Sequence, residues 1–177
     1  MKKISTLILS IFLVVACSDD IGPRGPQGPP GINILGSVYE VTVNFTPQND
    51  YTVLLDFPQD IEVFESDVVL VYLLETTISD STGPIDVWTL LPRTFYLEDG
   101  SAVAYNSTHT FLDVELFLNG NTNLDALGGE FTLDQTFRIA ILPADYAENP
   151  NIDLADMQQV IGGLQMQQDN FSVQKLD

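Results

Sequence analysis

Hydrophobic and polar residues alternate with a period of two through much of the chain. Between Tyr39 and Thr46, aromatic and β-branched residues at odd positions alternate with polar residues at even positions. Such alternation is typical of a β-strand with one buried face. The run VVLVYLL at 68–74 is apolar throughout, which predicts a central strand or one covered on both faces.

The same pattern predicts a series of further short strands. They fall at 51–57, 86–91, 94–97, 101–106, 108–118, 130–133 and 136–142. Turn residues separate them, among them Glu98-Asp99-Gly100 and Asn119-Gly120-Asn121. Many short strands with regularly spaced turns predict a mostly all-β fold, an antiparallel β-sandwich or a jelly-roll-like domain.

One short helix is predicted near the C-terminal end. Apolar residues recur there at helical spacing: Met157, Val160, Ile161 and Leu164. Asn151 or Asp153 is expected as N-cap, and Gly162-Gly163 is expected to end the helix. We expect this helix to pack on an edge or end of the sandwich, and a final strand is predicted at 171–176.

The amino-terminal segment combines a basic start, an apolar run and a cysteine. Lys2 and Lys3 precede the apolar run, which ends in Val14-Val15-Ala16-Cys17, and Cys17 is the only cysteine of the chain. This arrangement predicts a lipoprotein signal peptide at 1–16 and a lipid on Cys17 that anchors the protein to a membrane. The apolar run is too short to span a bilayer as an ordinary helix.

Glycine then recurs at every third position, and proline follows the first three of these glycines. The glycines are Gly22, Gly25, Gly28 and Gly31. This is a short collagen-like repeat, whose backbone favours an extended polyproline helix. It predicts a semi-rigid tether at 17–31 and a globular domain at 32–177. The alternative is that the repeat nucleates a homotrimer, which requires the domain to trimerise as well.

Residues 1–31 resemble the bacterial lipoproteins of the Bacteroidota type, in which a collagen-like stretch follows the lipidated cysteine. The resemblance implies that Asp19 and Asp20 act as an export signal. It also implies a location in the outer membrane with the domain exposed at the cell surface; the periplasmic face is the alternative. In Asp80-Ser81-Thr82, Ser81 resembles an O-glycosylation acceptor of the same group. The resemblance implies no activity for the domain.

The charge of the chain limits its partners. It has 25 acidic residues against six basic ones, and its net charge is −19. Nucleic acid and anionic lipid headgroups are excluded as partners, because binding phosphates requires clustered lysine and arginine. A glycan or a protein remains as the class of ligand. Separately, a chain with a single cysteine cannot form an internal disulfide.

One segment has the spacing of a calcium-binding loop. Oxygen-bearing side chains stand at positions 1, 3, 5, 7 and 12 of the stretch 119–130: Asn119, Asn121, Asn123, Asp125 and Glu130. The stretch departs from an EF-hand, because asparagine replaces the first aspartate and Leu124 occupies the glycine position. An Asn/Gly-rich loop between strands explains the same residues, and no other cofactor is predicted.

No catalytic residue is assigned. His109 is the only histidine, and it would share a strand face with Ser107, Phe111 and Asp113. A histidine on a sheet face is the preferred interpretation, because a catalytic triad requires a geometry that spacing alone does not provide. Four aromatic residues could stack on sugars if exposed, although the core is the preferred location: Trp88, Phe95, Tyr96 and Tyr105.

The sequence therefore predicts a lipid-anchored cell-envelope protein. Its β-sandwich is expected to be non-catalytic and to serve binding, adhesion or envelope structure. The alternative is a surface glycan-binding module or a hydrolase associated with nutrient capture. An exposed aromatic groove would favour glycan capture, whereas aromatic residues in the core would favour a structural module.

Overall fold

The computed structural model describes residues 36–167 and 173–176. Within them the strands are β1 (Ser37–Val43), β2 (Thr52–Asp56), β3 (Val68–Asp80), β4 (Gly83–Leu90), β5 (Arg93–Tyr96), β6 (Ala102–His109), β7 (Asp113–Gly120), β8 (Gln135–Leu142) and β9 (Gln174–Lys175). The helices are α1 (Gly129–Thr132), α2 (Ala144–Ala147) and α3 (Met157–Gln167). Two 3-10 turns cover Pro47–Asn49 and Leu124–Ala126.

The strands form two sheets that pack face to face. One sheet has the order β4-β3-β8-β1-β9 and the other β2-β7-β6-β5. All described pairs are antiparallel except β9, which lies parallel to β1. The all-β sandwich with a helix near its C-terminal end is therefore confirmed.

Aromatic rings fill the space between the two sheets. Phe45, Tyr105 and Phe137 are fully buried, and their ring centroids lie 6.0 to 6.2 Å apart. Phe45 meets the other two rings edge to face, a geometry worth about 0.5–1.5 kcal/mol per pair beyond the area buried. The buried Tyr105 hydroxyl donates to the carbonyl oxygen of Phe131 at 2.7 Å. The core therefore ties β6, β8 and the α1 segment together.

The five-stranded sheet is covered on both faces. Along β3, Val71 and Leu73 point into the core between the sheets, whereas Tyr72 packs with α3 on the opposite face. Strand β3 lies between β4 and β8. The prediction of a central strand covered on both sides is confirmed.

Helix α3 lies over the outer face of the five-stranded sheet, not on an edge or end as predicted. Its Val160 and Leu164 are fully buried against Val38 and Leu142 of that sheet. The outer face is apolar near Val38 and Leu142, whereas further along it carries the ion pair of Glu40 and Arg138. The hydrophobic effect favours a helix over the apolar part of this face.

Both predicted ends of α3 are also wrong. Its N-cap is Asp156, whose Oδ1 accepts from the backbone N–H groups of Gln158 and Gln159 at 2.9 and 3.3 Å. The helix continues through Gly162 and Gly163 to Gln167. Each interior glycine costs about 1 kcal/mol relative to alanine, and burial of the next turn, with Leu164, offsets that cost.

Two strand predictions are wrong for local reasons. The segment 130–133 begins within helix α1, where the Leu133 N–H donates to the Gly129 carbonyl oxygen. The predicted strand 108–118 is interrupted by a turn, in which Thr110 Oγ1 donates to Asp113 Oδ1 at 2.8 Å. Such side-chain hydrogen bonds compete with the sheet ladder. Strand β6 consequently runs on to His109.

The last predicted strand is observed only at Gln174–Lys175. Phe171 and Ser172, which the prediction included, lie outside the described residues. Among the residues that the structure describes, no helix has the length and apolar character needed to cross a membrane.

Adjacent glycines in α3 provide a matched test of the helix packing. A Cβ on Gly163 would collide with the Tyr146 hydroxyl, which donates to the Val160 carbonyl oxygen at 2.7 Å, whereas a Cβ on Gly162 would meet open space. We expect Gly163→Ala to lower the free energy of unfolding by about 1–3 kcal/mol. Gly162→Ala should raise it by up to about 1 kcal/mol.

Urea denaturation of the chain without residues 1–16 measures both changes. Equal effects of the two substitutions would contradict the packing of α3 against Tyr146.

Candidate binding surfaces

The residues predicted for lipidation, export and the tether lie outside the described residues. They are Cys17, Asp19, Asp20, Gly22, Gly25, Gly28 and Gly31. Their roles stay predictions.

The outer face of the four-stranded sheet is open. Within the described residues, no hydrophobic cluster forms on this face. Leu54 on β2 and Tyr96 on β5 are 61% and 85% exposed. This contrasts with the five-stranded sheet, whose outer face carries α3. The open face is therefore a candidate binding surface of the sandwich.

Polar side chains lie along the centre of this open face. Asn106 Nδ2 donates to Asn119 Oδ1 at 3.0 Å, across the pair of strands β6 and β7. One row further along, Thr108 Oγ1 donates to Glu115 Oε2 at 3.3 Å. Tyr105 on β6 and Leu116 on β7 point into the core. Because successive side chains of a strand point to opposite faces, their polar neighbours point to the outer face. The face thus offers amide, hydroxyl and carboxylate groups to a ligand.

The four aromatic residues considered for sugar stacking do not form a platform. Tyr105 is buried, and Phe95 packs against it in the core with ring centroids 5.8 Å apart. Trp88 is half-buried, and the guanidinium of Arg138 lies 4.0 Å from the centroid of its ring. Tyr96 alone among the four is exposed. The core interpretation is confirmed for Tyr105 and Phe95.

His109 is the last residue of β6 and lies at one end of the sandwich. It lines a cleft of about 190 Å³ together with Val63, Phe64, Asp67, Val69 and Phe111 among others. Ser107 and Asp113 do not hydrogen-bond to it; Asp113 Oδ1 accepts instead from Thr110. The expectation that residues 107, 109, 111 and 113 share one strand face was wrong, because the turn separates them. The residues of the supposed triad are therefore not assembled.

The predicted calcium-binding side chains accept hydrogen bonds from the protein. Asn121 Oδ1 accepts from the Ala102 N–H at 2.6 Å, and Asn123 Oδ1 accepts from the Asp125 N–H at 3.2 Å. Asp125 Oδ1 accepts from the Tyr51 hydroxyl at 2.8 Å. Asn119 lies on β7, and Glu130 lies on α1. In the described part of the chain, no group of three or more His, Cys, Asp or Glu side chains is arranged to hold a metal ion.

Burial and the Asp125 carboxylate both raise the pKa of the Tyr51 hydroxyl. The hydroxyl therefore stays protonated and donates its hydrogen bond to Asp125. The bond joins the start of β2 to the 3-10 turn at Leu124–Ala126. A cleft of about 300 Å³ lies beside it, lined by Phe45, Leu127 and Leu133 among others. The loop residues thus support the end of the sandwich.

A third cleft, of about 310 Å³, lies between β4 and the start of α3. Trp88 and three aspartates line it: Asp86, Asp153 and Asp156. Each carboxylate already accepts a hydrogen bond, from Thr77, from the Ala155 N–H and from the first turn of α3, respectively.

All three basic residues in the described ranges are ion-paired. Arg93 contacts Glu75 at 2.6 Å, and Arg138 and Lys175 contact Glu40 at 3.0 and 2.9 Å. Burial of Glu40 opposes its ionisation, but Lys175 and Arg138 outweigh this effect and hold the pKa of its carboxyl below the usual value. The remaining charged side chains of these ranges are carboxylates. An anionic ligand therefore finds no free cation there.

Comparison with known proteins identifies no relative. No protein-family model, no curated protein and no solved structure matches the chain.

The ion pairs of Glu40 predict a pH-dependent stability. Because its pKa in the folded protein lies below the ordinary value of 4.5, its contribution is complete above that pH and is lost as the pH falls through the folded-state pKa. We expect Glu40→Gln to lower the free energy of unfolding by about 1–3 kcal/mol at pH 7. The difference from the unmodified protein should shrink below pH 4.5.

Denaturant unfolding at several pH values measures this difference. The exposed Glu62 forms no ion pair, so Glu62→Gln is the control and should change the stability by less than about 0.5 kcal/mol. A loss in Glu40→Gln that persists undiminished below pH 4 would contradict the pKa assignment.

The calcium hypothesis predicts that the melting temperature rises with calcium concentration. The matched comparison uses magnesium, and Asp125→Asn should abolish the rise. An unchanged melting temperature at millimolar calcium would remove the hypothesis.

Proposed function

We propose that this protein is a lipid-anchored component of the bacterial outer membrane that presents a non-catalytic β-sandwich for binding, adhesion or envelope structure. The observation that carries the proposal is Cys17, the only cysteine of the chain, directly after a basic and apolar segment ending in Val14-Val15-Ala16. Asp19 and Asp20 follow after Ser18, and in this they resemble the export signal of surface lipoproteins of the Bacteroidota type.

The sequence between anchor and domain supports display at a distance from the membrane. Three Gly-Pro-X triplets occupy residues 22–30. At ~3.1 Å per residue, such a segment extends to about 28 Å. That length suffices to hold a small domain clear of lipid headgroups. A homotrimer through these triplets remains a second prediction for the same segment.

The open outer face of the four-stranded sheet supports a binding role. Leu54 and Tyr96 are exposed on this face, which is accessible to a ligand.

One observation favours a glycan as the ligand. Tyr96 is 85% exposed on the same face as the amides of Asn106 and Asn119. An aromatic ring can stack on the apolar face of a sugar, and amides both donate to and accept from its hydroxyl groups. A surface glycan-binding module is therefore the second candidate. No contact among the described residues favours a hydrolase.

The turn that holds Ser81 is accessible to modification. This turn is exposed and lies between β3 and β4. Asp80 Oδ1 accepts from both the N–H and the hydroxyl of Thr82 at 2.6 Å, which fixes the turn. We propose Ser81 as an O-glycosylation acceptor.

Protease treatment of intact cells tests the proposed location. We expect the domain of the unmodified protein to be lost to the protease, because it stands outside the cell. Replacing both Asp19 and Asp20 by alanine should protect it, and Cys17→Ala should remove it from the membrane fraction. Permeabilised cells provide the control for protease access.

Protection of the unmodified protein in intact cells, with digestion only after permeabilisation, would contradict surface display. It would assign the domain to the periplasmic face.

A further inference from the structure

Strand β2 is the edge of the four-stranded sheet, and half of its backbone groups point away from the sheet. The Leu118 N–H donates to the Tyr51 carbonyl oxygen, and the Phe57 N–H donates to the Leu112 carbonyl oxygen. In an antiparallel ladder every second residue directs both of its backbone groups to the neighbouring strand. The odd-numbered residues 51–57 therefore face β7, and Thr52, Leu54 and Asp56 face outward.

This outward edge is unpaired among the described residues. No hydrogen bond from any of them ends on the backbone N–H or carbonyl oxygen of Thr52, Leu54 or Asp56. Three residues with both groups free form a template on which one more strand can be added.

The other sheet edges in the described ranges are less suited to such pairing. Strand β4 contains Pro84, β5 has four residues and directly follows Pro92, and β9 has two residues. Proline and short length are devices that block strand addition. Strand β2 has five residues and no proline.

Charge selects the partner for this edge. Exposed carboxylates stand near both ends of β2, on Asp50 and Asp56, and Asp113 and Glu115 lie opposite Asp56 and Leu54 on β7. The basic residues of the described ranges are held by Glu40 and Glu75. An acidic strand, including β2 of a second copy, would be repelled. A cationic strand would be attracted.

The middle of the edge is apolar, because Leu54 is 61% exposed between the two charged ends. We propose that the β2 edge binds an extended cationic peptide segment, which adds as a further strand with an apolar residue beside Leu54 and basic residues beside the carboxylates. This inference rests on the proposed binding role and specifies its ligand. It is independent of the lipid anchor.

Amide hydrogen exchange, followed by NMR, tests the proposal on the chain from residue 17 with Cys17→Ala. The probe is the capped peptide Thr-Lys-Thr-Val-Thr-Lys-Thr, and the matched control carries glutamate in place of both lysines. We expect the lysine peptide to slow exchange at Leu54 and Asp56 by at least about tenfold, without changing Val53 and Leu55, which already donate to β7. The effect should weaken with salt.

Two substitutions separate strand addition from loss of the fold. Leu54→Pro removes an outward N–H and no bond to β7, so it should abolish the protection at Asp56 while Val53 and Leu55 stay protected. Asp56→Asn removes one charge and should weaken binding of the lysine peptide about two- to tenfold.

Three results would overturn the proposal. The first is no protection by the lysine peptide at millimolar concentration. The second is equal protection by the glutamate peptide, which would show that charge does not select the partner. The third is slow exchange at Leu54 and Asp56 in the free chain; dependence on protein concentration would then identify a second copy, and independence another segment of this chain. If the lysine peptide does not bind but the protease test shows surface exposure, the peptide proposal fails and the proposed location stands.

Discussion

Burial of the five-stranded sheet on both faces is the constraint on which the structure depends. Strand β8 shows it most directly: Phe137, Ile139 and Ile141 enter the core between the sheets, while Ala140 and Leu142 pack under α3. A shift of the strand by one residue would exchange these two sets. The inner face and the apolar part of the outer face each need a covering layer, and the four-stranded sheet and α3 supply those layers.

The four-stranded sheet needs no covering layer on its outer face. Its inner residues complete the aromatic core, and its outer face carries polar pairs such as Asn106 with Asn119. Solvation satisfies that face and the edge of β2. The two sheets thus differ: α3 covers the outer face of one, and the outer face of the other is accessible.

The acidic composition also affects how the β2 edge can pair. Ion pairs occupy Arg93, Arg138 and Lys175, so carboxylates dominate the rest of the described surface. Repulsion between carboxylates disfavours pairing of the β2 edges of two copies, and the same charge is the basis for proposing a cationic partner.

The sequence predicted the sandwich because alternation is a local signal. It predicted β3 as covered on both sides for the same reason. It missed the continuation of α3 through Gly162 and Gly163, because that helix is held by contacts with the distant sheet. It also missed the turn at Thr110, where side-chain and backbone hydrogen bonds to Asp113 interrupt an alternating pattern. The open edge of β2 depends on strand order, which periodicity does not determine. The spacing of residues 119–130 suggested a calcium loop. In the structure, Asn121 accepts a hydrogen bond from Ala102, and Asp125 accepts one from Tyr51.

The proposed function requires that a folded sandwich is held to a membrane through Cys17. The decisive measurement is the intact mass of the protein extracted from native membranes. We expect a chain that begins at Cys17 and carries the added mass of a lipid on that residue. A chain that retains residues 1–16, or an unmodified Cys17 in membrane-free fractions, would contradict it.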